Sequence, residues 1–139
     1  MYMGEVAAER FGAGKFVLLV EDNEINAEIA MLQLKEMGFE VDWVVNGARA
    51  VENFGNSEPF HYDLVVMDIM MPVMDGLEAT RIIRNLGRPD TEKVPIIAIT
   101  ANAFPEDTKA SLDSGASKVI TKPYSRRFFE DTIRELLQA

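Results

Sequence analysis

At 139 residues the chain has room for one domain with one sizeable core. Its 47% apolar and 27% charged residues are those of an ordinary globular protein, and no apolar run approaches the roughly 20 residues that cross a bilayer, so no membrane contact is expected. A formal charge of −9 argues against direct nucleic-acid binding, which needs a basic patch, and zero cysteines exclude disulfides and thiolate metal sites and fit a cytoplasmic setting.

Residues 1–14, short, polar and rich in small residues, read as a linker or tail, with the domain over 15–139. Met1 to Glu5 has neither a basic segment nor an apolar core, so it does not read as a secretory signal. Phe16 to Val20 is an uninterrupted apolar run, as in a strand buried on both faces, and it stops at Glu21-Asp22-Asn23. A helix follows over about 24–37 with Ile25, Ile29 and Leu32 on one face and Gly38 as its stop. Phe39 to Val45 is a second strand, with Trp43 at the boundary between sheet and helix; Asn46-Gly47 then opens a helix that Gly55 ends. The third strand, Leu64 to Met67 closed by Asp68, leads through a Pro72 loop to Asp75-Gly76 and a helix ending at Gly87. Pro95 to Ile99 is the fourth strand, ending in Thr100, and Pro105 suits the first turn of the next helix, whose following acids favour its N-terminus. Lys118 to Thr121 is a short fifth strand before Lys122-Pro123, and Ser125 caps a last helix that buries Phe129, Ile133 and Leu136 or Leu137.

Five strand–helix alternations imply an α/β fold: a single doubly wound sandwich, a five-stranded parallel sheet with five helices. The flavodoxin-like strand order 2-1-3-4-5 is favoured, with its switch point between strands one and three. In such sheets chemistry sits just past the carboxyl ends of the strands, which carry Glu21-Asp22 and Asp68 facing one crevice. Three converging carboxylates repel one another, and a hard divalent cation that takes oxygen ligands and keeps some water, Mg²⁺, removes the conflict. Thr100 and Lys122 add a hydroxyl and an ammonium at neighbouring strand ends. These are the parts that a phosphoryl group needs: an acceptor carboxylate, a metal, a hydroxyl donor and a cation.

Leu18-Leu19-Val20-Glu21-Asp22-Asn23, Asp68 with Met71-Pro72-Val73-Met74-Asp75-Gly76, Thr100-Ala101 and Lys122-Pro123, in this order at successive strand ends, closely resemble the receiver domain of two-component response regulators. The match runs over about residues 15–138. The resemblance implies that Asp68 takes a phosphoryl group from the phosphohistidine of a histidine kinase or histidine phosphotransfer domain. It implies that Asp22, Asp68 and the main-chain carbonyl of Met70 ligate Mg²⁺, with Glu21 acting through an intervening water. Thr100 would bond a phosphoryl oxygen, Lys122 would pair with it, and the Lys122-Pro123 bond would be cis. Glu21-Asp22-Asn23-Glu24-Ile25-Asn26 and Thr100-Ala101-Asn102-Ala103-Phe104 most resemble receivers of hybrid sensor histidine kinases. Such a domain is not a stand-alone enzyme, although it assists its own phosphorylation and dephosphorylation, and some self-associate through the last two helices. One departure is Val119, which stands where many receivers carry a Tyr or Phe that reports phosphorylation.

Plainer readings compete at each residue. Asp68 could be a cap, Glu21-Asp22 could cap the first helix, Thr100 could satisfy backbone, and Lys122 could be a solvated lysine. His61, the only histidine, enters strand three at the opposite end from the site and reads as structural. Met67, Met70, Met71 and Met74 read as core and loop packing. Among whole functions, a receiver-like interaction module working without phosphorylation would lack Asp68, Lys122 or the acidic pair. A haloacid-dehalogenase phosphatase would want an acid where Met70 stands, and a flavodoxin-type carrier a phosphate loop where Glu21-Asp22-Asn23-Glu24 stands. Apolar Met70, with Asn102 flanking the site, is expected to slow attack by water on the acyl phosphate.

Overall fold

The computed structural model describes residues 10–69, 74–101 and 104–138. Over these residues β1 (Phe16–Val20), α1 (Glu24–Glu36), β2 (Glu40–Val44), α2 (Gly47–Asn56), β3 (Leu64–Asp68), α3 (Gly76–Arg84), β4 (Ile96–Thr100), α4 (Pro105–Ser114), β5 (Lys118–Thr121) and α5 (Arg126–Gln138) follow one another. Every strand pair is parallel, and the sheet order is β2-β1-β3-β4-β5, as the sequence implies. The outer strands are therefore β2 and β5.

The apolar runs explain the layering. Alternation along β1, β3 and β4 sends Val17, Leu19, Val66 and Ile97 to one face, where Leu34 of α1 and Phe129 and Ile133 of α5 cover them. Leu18, Val20, Val65, Met67 and Ile96 point to the other face, under Ala50 and Phe54 of α2 and Ala79 and Ile83 of α3. Each fully buried large side chain, such as Phe129 or Ile83, contributes about 2–3 kcal/mol of burial free energy.

Side chains start four of the helices. Asn23, Asn46, Asp75 and Ser125 accept backbone N–H groups of the first turns of α1, α2, α3 and α5 at 2.9, 2.8, 2.9 and 3.0 Å. Pro105 opens α4 with its fixed φ.

Ile25, Ile29 and Leu32 share one face of α1, which is the exposed one, at 69%, 52% and 61%, and α1 buries Ala27, Ala30 and Leu34. Helix α1 carries two stripes at helical spacing on roughly opposite sides, and the one with small residues packs inward because it lets the helix approach the sheet closely. Residues 10–14, within the stretch expected to be a linker or tail, lie against the end of α1 and Phe39. The Gly12 N–H donates to the Met37 carbonyl at 2.9 Å and the Arg10 guanidinium to the Lys35 carbonyl at 2.9 Å. Phe11 packs edge-on against Phe39, and the Arg134 guanidinium lies 4.3 Å from its centroid. Carbonyls at the end of a helix have acceptor capacity that the helix does not fill, and residues 10–12 bond two of them, at Lys35 and Met37.

Candidate functional site

Asp68 is the last residue of β3 and is 7% exposed. The next residue, Ile69, donates its N–H to Ile99, which fixes Asp68 beside the end of β4. Glu21, also 7% exposed, follows β1, and its N–H donates to the Val44 carbonyl at 3.1 Å. Its Oε2 accepts the Asn23 N–H at 3.1 Å, while the Asn23 side chain caps α1. The capping role open to Glu21-Asp22 thus falls to Asn23, and both acids remain at the crevice. Glu21, Asp22 and Asp68 each bring a carboxylate oxygen within 4.8 Å of the others; Asp22 is exposed and its two neighbours buried.

Lys122 follows β5 and donates its backbone N–H to the Thr100 carbonyl at 2.8 Å. Its Nζ lies 3.6 Å from Glu21 Oε1 and 3.8 Å from Asp68 Oδ2. Thr100, 4% exposed, ends β4 opposite Thr121, and the Lys122-Pro123 bond is cis, as the resemblance implies. Glu21, Asp22, Asp68, Thr100 and Lys122 thus occupy one end of the sheet. Met70 and Asn102 lie outside the described residues.

The electrostatics follow from crowding. Burial above all, and then the negative charge of Asp68, pushes the Glu21 carboxyl up to about 7, against the Asn23 N–H and Lys122, which pull it down. Burial, together with Glu21 and Asp68, also raises the Tyr124 hydroxyl. Three carboxylates against one ammonium leave excess negative charge on an all-oxygen donor set, which suits a hard divalent cation.

Glycines hold the segment that follows Asp68. The Gly76 N–H donates to the Ile69 carbonyl at 3.0 Å, and a Cβ at Gly76 would fall on the Asp68 carbonyl oxygen and crowd Met67 Cγ and Ile69 Cα. The Gly47 N–H donates to the Met74 carbonyl at 3.1 Å, and a Cβ there would strike that same oxygen. Asp75 caps α3, the architectural part expected of it.

A cleft of about 120 Å³ runs from Asp68 and Lys122 between α1 and the chain after β5, walled by Leu19, Ile29, Ala30, Ile99 and Tyr124. The exposed Ile25–Ile29–Leu32 stripe meets it at Ile29. Val119 pairs with Ala98 and packs with Ile69, Ala116 and Leu77, a small apolar patch in place of an aromatic ring. His61 lies tilted against Phe16 at 4.5 Å and edge-on to Tyr62 at 4.6 Å, beyond the far ends of the strands. Sequence reading missed Asn23 as the cap, Tyr124 as a wall of the cleft, and Trp43 as a donor to the Glu21 carbonyl at 2.8 Å. An Asn three residues before an N–H that needs a partner was a legible signal for the first; the other two are tertiary.

The response regulator receiver domain family model matches residues 17–134, and the chain belongs to that family. It is 42% identical over 125 residues to two-component system protein A of Emericella nidulans, covering 88% of this chain and 18% of that protein. It is 39% identical over 120 residues to hybrid signal transduction histidine kinase L of Dictyostelium discoideum, covering 86% of this chain and 7% of the kinase. The chain therefore spans under a fifth of the length of these two relatives. The receiver domain of sensor histidine kinase PA1611 from Pseudomonas aeruginosa, solved with a magnesium ion coordinated in its active-site cleft, superposes with a TM-score of 0.81 at 35% identity, over 91% of this chain and all of that one. Among the described residues no helix is long and apolar enough to cross a membrane.

Proposed function

We propose that this domain accepts a phosphoryl group on Asp68 within a two-component phosphorelay, with Mg²⁺ as cofactor. The observation that carries the reading is the convergence of Glu21, Asp22 and Asp68 within 4.8 Å, with Lys122 Nζ 3.6–3.8 Å from two of them. Asp22, Asp68 and the Met70 carbonyl would hold the cation directly, with Glu21 one water removed. When bound, Mg²⁺ supplies positive charge to the phosphoryl oxygens and to the crowded carboxylates.

The remaining chemistry belongs to the chain. An Asp68 carboxylate oxygen attacks phosphorus; the P–N bond to the donor imidazole breaks, and the ring nitrogen keeps the electron pair and takes a proton. Lys122 leaves its carboxylate neighbours to pair with a phosphoryl oxygen, and the Thr100 hydroxyl donates to another. Hydrolysis reverses the state: water attacks phosphorus, the P–O bond to Asp68 breaks, and inorganic phosphate leaves with the carboxylate restored. The domain thus assists its own phosphorylation and dephosphorylation without being an enzyme that acts alone. With Mg²⁺ and acetyl phosphate, intact-mass measurement is expected to show one phosphoryl group per chain, and none after chelation with EDTA. Equal labelling in EDTA would sink the metal-dependent reading.

The phosphodonor is a histidine kinase or a histidine phosphotransfer domain. The apolar stripe of Ile25, Ile29 and Leu32 beside the acceptor cleft supports docking of the donor's helix over α1. Ile25→Ser is expected to slow transfer from a phosphohistidine protein about tenfold, the effect of losing a central apolar anchor, while labelling by acetyl phosphate stays unchanged. Equal slowing with both donors would place the defect in the acceptor site instead.

A further inference from the structure

We infer that Trp43, on outer strand β2, is a positioning residue for the metal half of the site. Its indole N–H donates to the main-chain carbonyl of Glu21 at 2.8 Å, across 22 positions of sequence. That carbonyl belongs to the peptide plane joining Glu21 to Asp22, so its direction sets the direction in which the Asp22 side chain leaves the backbone. On the other side of Glu21, its N–H is bonded to the Val44 carbonyl at 3.1 Å. Glu21 is thus gripped on both of its peptides by consecutive residues of β2, one step past the end of β1, where the regular ladder has stopped.

The grip is needed because the acids resist it. Glu21 and Asp22 must stay within 4.8 Å of Asp68 against their mutual repulsion, and Asp22 is exposed and free to swing toward solvent. A peptide plane pinned by a half-buried ring cannot turn without unstacking that ring from the α1–α5 face of the sheet. Trp43 itself is not among the residues walling the acceptor cleft, so it acts through Glu21 and Asp22. Groups that orient metal ligands in this way tune affinity without contacting the ion. The inference rests on the Mg²⁺ reading above.

Because Trp43 is the only tryptophan, biosynthetic replacement by 3-benzothienylalanine changes this ring alone, keeping its shape and substituting sulfur for N–H. Trp43→Phe serves as an independent variant lacking the same donor. Mg²⁺ is titrated calorimetrically far below the melting temperature of each protein, so that all are folded and the Kd decides. The expected result is a Kd weakened about tenfold in both substituted proteins, the usual effect of removing a group that orients a ligand. An unchanged Kd overturns the inference, whatever happens to the metal-free melting temperature, because packing alone would then account for the ring. Absence of Mg²⁺ binding by the unsubstituted protein overturns the metal reading beneath it, and is distinguished by that control.

Discussion

Asp68→Asn is expected to abolish phosphoryl uptake from acetyl phosphate and from a phosphohistidine donor, and at the same time to stabilise the metal-free domain. The first effect is chemical: an amide oxygen is no nucleophile toward phosphorus at neutral pH. The second is electrostatic. Among the charged groups of the described site, the carboxylate is repelled by Glu21 and Asp22 at up to 4.8 Å and attracted by Lys122 at 3.8 Å. At an effective dielectric of 20 the repulsions are about 3 kcal/mol each and the attraction about 4 kcal/mol. Exposure of Asp22 and partial exposure of Lys122 reduce both sides, leaving about 1 kcal/mol in favour of the variant. Burial pushes the Glu21 carboxyl up to about 7, so the comparison belongs at pH 8, above that value. Thermal unfolding should rank the variant above the parent in EDTA. Mg²⁺ should raise the parent further than the variant, because only the parent keeps the full donor set. Labelling of the variant at the parent's rate would remove Asp68 from its role.

Gly76→Ala is expected to have the second largest effect. Alanine at the first position of a helix ordinarily helps by restricting the unfolded chain. Here the added Cβ falls on the Asp68 carbonyl oxygen and against Ile69 Cα, and these are backbone atoms that cannot rotate away. Overpacking of this kind costs about 1–3 kcal/mol, and the upper end is expected because the backbone itself must shift. The displaced atoms belong to Asp68, the proposed acceptor, and to the residue after it, so phosphoryl uptake by the folded fraction should fall on the order of a hundredfold, as for a nucleophile moved by about an ångström. Melting temperature and labelling rate measured on one preparation separate the two consequences. An alanine variant with both unchanged would show that the junction is softer than its close contacts indicate.

The fold was legible because its signals agree. Runs such as Phe16 to Val20 and Leu64 to Met67 are continuous because α1 and α5 cover one side and α2 and α3 the other, and Gly38 or Pro105 mark where helices stop and start. The site was legible for a related reason. In a parallel sheet every strand delivers its last residue to the same end, so reading the strand ends in order also reads out the crevice.

What failed to be legible depends on the third dimension. Periodicity shows that Ile25, Ile29 and Leu32 share a face but not whether the sheet lies under it, and Ala27 and Ala30 won by being small. Phe11 read as part of a tail because Gly12-Ala13-Gly14 follow it, yet it has Phe39 to pack on and Arg134 to stack under. No local pattern could tell that the Trp43 indole meets the Glu21 carbonyl, since the parallel pairing of β1 with β2 creates that neighbourhood. Val119 is the reverse case: the residue is plain in the sequence, and the small apolar patch around it suggests that any response to phosphorylation at this end travels by repacking rather than by the swing of a ring.

The two outer strands bear on how the domain behaves when crowded. An open strand edge exposes unpaired N–H and C=O groups on which another chain can build, the usual first step toward intermolecular β-pairing and precipitation. On β2 the side chains of Glu40 and Asp42 alternate outward, exposed. On β5, Lys118 is held 3.0 Å from Glu135 at the rim of the sheet. A second copy sliding edge to edge along β2 would bring like charges together at each outward position, in a chain that already carries a net −9. Among the described residues, the acidic margin of β2 therefore opposes edge-to-edge pairing between copies by charge repulsion.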